Sequence, residues 1–90
     1  MVAERAAFVE ALTRDFDAAL KIYESCRDSW LNVYGRDRKN HIASYNVAKA
    51  WHNIGTCQIQ LELWDEAQIS YDEAEKFYRI SIKQLNGNPD

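Results

Sequence analysis

The 90-residue chain predicts an all-α fold: four helices in two antiparallel hairpins, stacked in a right-handed sense. Three observations predict it. Large apolar side chains recur every three to four positions over long stretches, the spacing that lines one face of a helix. Punctuation is sparse, with one Pro and three Gly, so long elements with few turns are expected. A pattern of rings and small residues at 64–74 also returns at 16–26, a shift of 48 positions. No useful run alternates at period two, and Asn86-Gly87 exits a helical stretch instead of joining two strands, so no sheet is expected.

The first helix is expected from about Val2 to Thr13, with Phe8, Val9, Leu12 and the alanines as its apolar side. Asp15 and Asp17 open the second, because negative charge suits a helix N-terminus. That helix carries Phe16, Ala19, Tyr23, Cys26, Trp30 and Tyr34 on one side, and Gly35 is expected to end it in a left-handed conformation. Residues 35–40 form a connector, with Asn40 as N-cap of the third helix. The third helix runs through Ile42, Tyr45, Ala48, Ile54 and Ile59 to about Leu61. Asp65 and Glu66 open the fourth, which reaches about Leu85, where Gly87 and Pro89 stop it. Its core stripe is expected to run Trp64, Ala67, Tyr71, Ala74, Tyr78, Ile82, Leu85. The whole is one domain: a first repeat at about 1–34, the connector, a second repeat at about 41–86, and a tail at 87–90.

Trp51-x₂-Ile54-Gly55, Trp64-Asp-Glu-Ala67 and Ala67-x₃-Tyr71-x₂-Ala74 fall in one register with the tetratricopeptide signature. The chain therefore resembles a tetratricopeptide-repeat (TPR) protein. Gln58 stands where a Tyr is usual and Arg79 where Pro closes the repeat, so the last helix is expected to run on. The shift of 48 pairs Phe16 with Trp64, Asp17 with Asp65, Ala19 with Ala67, Tyr23 with Tyr71 and Cys26 with Ala74. In this first copy Ala3, Ala6 and Ala7 replace the Trp, Leu and Gly, which makes it degenerate. The long repeat, with Tyr34-Gly35 and Leu85-Asn86-Gly87 at its exits, is similar to those of kinesin light chains. The resemblance implies a short TPR-type solenoid.

Composition narrows the function. Apolar residues at 47% and rings at 12% argue against disorder. A net charge of −3 with both signs interspersed offers no nucleic-acid surface. No apolar run approaches the roughly 18–20 residues of a membrane span, and Glu4 and Arg5 stand where a signal peptide is apolar. A cytoplasmic protein is expected, with Cys26 and Cys57 as buried thiols on helix faces, not a disulfide. No cofactor, metal site or catalytic constellation is expected. His41 and His52 are not an i,i+4 ligand pair, His52 and Cys57 lie on different helix faces, and no phosphate loop or nucleophile elbow occurs. Arg36, Arg38 and Lys39 are expected to be a solvated loop.

The expected function is thus a non-catalytic protein–protein interaction module, docking a peptide, a helix or a second copy, most simply as a homodimer. The alternative is a permanent structural subunit, or a fragment of a larger repeat-containing assembly. The resemblance implies that the first helix of each repeat lines a concave groove. That places Lys49, His52, Asn53, Thr56 and Gln60 there from the second repeat, and Phe8 and Leu12 from the first. Lys49 and Asn53 match carboxylate-holding places of the chaperone-adaptor members. Glu4 and Phe8 break that pattern in the first repeat and argue against tail capture. Finally, Ile69, Phe77 and Ile80 lie off the expected core stripe, where the equivalent places of the second helix hold Lys21, Ser29 and Asn32. They are expected to form an exposed apolar ridge for an oligomer or partner.

Overall fold

The computed structural model describes residues 5–7 and 14–87. Among them every regular element is helical: residues 5–7 (α1), Phe16–Arg36 (α2), His41–Gln60 (α3) and Trp64–Leu85 (α4). The all-α expectation holds, with neighbouring helices packed on one another. Phe8 and Leu12, with most of the first predicted helix, lie outside the described residues.

Local chemistry sets the boundaries. Asp15 accepts from the Ala18 N–H and caps α2, while Asn40 accepts from the Ile42 and Ala43 N–H groups at the start of α3. Each relieves donors that a helix N-terminus leaves without partners. The exit of α2 differs from expectation. Gly35 stays inside the helix, and the turn begins at Asp37, whose N–H still reaches the Val33 carbonyl. Asp37 then accepts from the Lys39 N–H, and its carbonyl accepts from Asn40, so an aspartate turn replaces the glycine stop. α3 ends with Glu62 at φ 61°, the Leu63 N–H on the Gln58 carbonyl and the Glu62 N–H on the Ile59 carbonyl. This is a Schellman closure on a residue that is not glycine. Gly87, at φ 74°, takes the left-handed place just beyond α4.

α3 and α4 are antiparallel. Ser44 Oγ donates to Gln84 Oε1 at 2.7 Å and Ser81 Oγ to the His41 carbonyl at 3.2 Å, which joins the start of α3 to the end of α4. At the other end Ser70 Oγ donates to Gln58 Oε1 at 2.6 Å. Gly55 permits the closest approach: a Cβ there would lie 2.9 Å from Tyr71 Cε1. α3 is also antiparallel to α2. Ala19 and Tyr23 share a buried cluster with Ile54, Cys57 and Ala7, and Trp30, Leu31 and Tyr34 pack around Val47, Ala48 and Phe77. Trp51 borders both clusters, with the Arg27 guanidinium 4.7 Å above its ring. Ala67 and Ala74 are buried at the helix contact, as expected.

The buried side of α4 is rotated from the expected stripe. Trp64, Ile82 and Leu85 are 61%, 57% and 66% exposed, while Ser70, Phe77 and Ser81 are buried. At 100° per residue the rotation is roughly 60°. Its physical reason is that the serine hydroxyls find acceptors across the interface, so these small polar residues enter the core at little cost.

Candidate functional site

Five residues expected in the groove lie along one side of α3, and the structure divides them. Lys49 and Asn53, with Asn46, border a shallow depression whose other wall is Tyr23, Cys26 and Trp30 of α2. His52 and Thr56 turn toward α4: the His52 and Tyr71 rings are 5.4 Å apart, and Thr56 Oγ1 lies 3.1 Å from the Tyr71 hydroxyl. Gln60 is exposed near the α3 terminus.

The expected ridge does not form. Phe77 is buried, its ring edge-on to Tyr34 at a centroid distance of 5.5 Å, and Ile80 packs against the same cluster. Ile69 alone of the three is exposed, at 61%. The cause is the rotation of α4, which turns Phe77 under the end of α2.

α4 instead carries a partly exposed row of large side chains, with Trp64 and Leu85 exposed and Tyr71 and Tyr78 half-buried. Trp64, Tyr71, Tyr78 and Leu85 follow one another seven residues apart. Ile82 joins the row, and Tyr45 of α3 extends it, its ring 5.8 Å from that of Tyr78. Ile42 and Tyr45 are 57% and 48% exposed, so apolar surface continues from α4 onto the start of α3. Of the expected core stripe, Trp64, Ile82 and Leu85 are exposed, while Tyr71 and Tyr78 are half-buried, Tyr78 against the cluster of Val47, Ala48 and Phe77. Their spacing was visible, but not which side of α4 a neighbour covers.

Two ionisable groups are shifted. Burial pushes the Cys57 thiol up. Burial, and after it the neighbouring Tyr45, push the Tyr78 phenol up, against a smaller opposing pull from Lys49. A raised thiol holds less thiolate at neutral pH, which suits packing and not nucleophilic chemistry. Both groups favour the proton in the folded chain, so their contribution is complete below their unfolded values, about 8.5 for Cys and 10 for Tyr. It is lost as pH rises through the higher folded values. Denaturant unfolding should therefore show stability falling progressively above about pH 9. Cys57 should react with a thiol reagent only as fast as the chain opens, and rapid modification of the native protein would contradict its burial.

Among the described residues no group of three or more His, Cys, Asp or Glu could hold a metal ion. Among them, too, no helix is long and apolar enough to cross a membrane. Comparison of the chain with protein-family models, with curated proteins and with solved structures found no match.

Proposed function

We propose that this chain is a non-catalytic protein–protein interaction module, built as a short right-handed TPR-type stack and acting in the cytoplasm by docking a helix, a peptide or a second copy. One observation carries the reading: the α3–α4 hairpin exposes the large apolar side chains Tyr45, Trp64, Ile82 and Leu85, with the half-buried Tyr78 in ring contact with Tyr45. A contiguous apolar face beyond a few hundred Å² marks an interaction site on a soluble domain. The repeat register supports the TPR-type stack, since Ala67 and Ala74 are buried and a side chain at Gly55 would meet the Tyr71 ring.

The test is a photo-crosslinking benzoyl-phenylalanine placed at Tyr45 and, in a separate variant, at Lys21, which is exposed on α2. The Tyr45 probe should form a protein adduct that Tyr78→Glu abolishes, and the Lys21 probe should form none. Equal adducts from both positions, or none from either, would remove the reading. A permanent structural subunit is the second reading, drawing on the same exposed face. It predicts that the isolated chain precipitates, whereas an adaptor stays soluble and binds reversibly.

A further inference from the structure

We infer that α4 is the seam of a two-fold dimer, in which Trp64, Tyr71, Tyr78 and Leu85 lie antiparallel against the same row of a second copy. The inference rests on the interaction-module reading and names the partner and the surface.

The chain contains its own template for such a seam. α2 carries Phe16, Tyr23 and Trp30, also seven residues apart, and all three pack into the clusters that α2 builds with α3. The 48-residue shift maps them onto Trp64, Tyr71 and Tyr78. On α2 Tyr23 is buried and Phe16 and Trp30 are half-buried, whereas on α4 Trp64 is 61% exposed and Tyr71 and Tyr78 keep only part of their rings in water. A strict seven-residue row is the spacing that keeps one helix seated along another.

The even spacing of the row accommodates a second copy. Trp64 and Leu85 are equally distant from the midpoint between Ala74 and Glu75, and so are Tyr71 and Tyr78. A two-fold axis through that midpoint sets Trp64 against Leu85 of the second copy and Tyr71 against its Tyr78. Large meets large along the whole seam, as a self-complementary interface requires. Charge does not oppose it. Glu75, beside the axis, is paired with Arg79 of its own helix, so two neutral pairs meet there, not two bare carboxylates. Area is sufficient. Counting roughly 150–250 Å² for a large side chain, the exposed parts of the row with Ile82, Ile42 and Tyr45 offer on the order of 650 Å². Specific interfaces take about 600–1,000 Å² from each partner.

Sedimentation across concentration should show a dimer with dissociation in the micromolar range. Trp64→Glu and Leu85→Glu, both at exposed positions and with helicity checked by circular dichroism, should each weaken it at least about tenfold. Ile69→Glu, on the opposite side of α4, should leave it unchanged. Register is read by disulfide trapping with oxidised glutathione. Glu75→Cys lies at the axis and should link the two copies, because its counterpart comes within the reach of a disulfide. Leu85→Cys should not, since antiparallel seating puts the two copies of that position about 30 Å apart. A wild type that stays monomeric at high concentration overturns the inference, as does dissociation by Ile69→Glu or equal trapping at both cysteine positions. A monomer whose Tyr45 probe still crosslinks to another protein loses the dimer and keeps the interaction module. A monomer without any adduct loses both.

Discussion

Phe77→Ala is expected to cost about 3–5 kcal/mol, while Trp64→Ala costs no more than about 1 kcal/mol. The two rings lie on one helix, yet their surroundings are opposite. Phe77 is 7% exposed, meets Tyr34 edge-on and shares a cluster with Val47 and Ala48, so its removal opens a cavity between α2, α3 and α4. Trp64 is mostly in water, and truncating it removes little buried surface. A domain of this size has about 5–15 kcal/mol of total stability, so Phe77→Ala should leave it close to unfolding at moderate temperature. Thermal or denaturant melts of the two variants, at a concentration low enough to hold the chain monomeric, decide the matter. Equal losses, or a larger loss at Trp64, would mean that α4 buries the stripe centred on Tyr71 and not the one centred on Phe77.

That contrast locates where the sequence was legible and where it was not. The cap at Asn40 was readable, because a short polar side chain before an apolar-periodic stretch has one strong use, and Asp15, placed at the start of α2 for its charge, caps it as well. The contact at Gly55 was readable for a similar reason: a glycine inside a helix marks a close approach, here to the Tyr71 ring. The facing of α4 was ambiguous because its apolar residues extend over more than one side, and α3 with the tip of α2 can cover only part of them. Ser70 and Ser81 resolve the ambiguity through hydroxyl bonds to Gln58 and to the His41 carbonyl. Those acceptors are remote in sequence, so no local pattern announces them. The exit of α2 misled for another reason. Gly35 is tolerated inside a helix at a cost of about 1 kcal/mol, and the aspartate turn at Asp37 supplies the stop. For the candidate site, the exposure of His52 and Thr56 on α3 and of Trp64, Ile82 and Leu85 on α4 depends on which side of each helix a neighbour covers, and no local pattern states that.

Ile54→Ala should be the second large effect, about 2–5 kcal/mol, with Ile54→Val at about 0.5–1.5 kcal/mol. Ile54 is 1% exposed and is the largest of the side chains that are almost wholly buried. It lies where Ala7 of α1, Ala19 and Tyr23 of α2 and Cys57 of α3 converge. Two of those neighbours are alanines, with no side-chain length to lean into a vacated space, and close-packed interiors relax only partly around a deletion. The cost should therefore fall toward the upper part of that range. The damage should also be local in a measurable way. Removing the side chain that α1 and α2 share should raise amide exchange in α2 near Ala19 and Tyr23 before it does so at the far end of α3, where Val47, Ala48 and Phe77 form a separate cluster. Exchange that rises uniformly along α2 and α3 would show instead that the two clusters open as one cooperative unit. A cost below about 1 kcal/mol would show that the site collapses around the deletion, against the packing that places Ile54 at its centre.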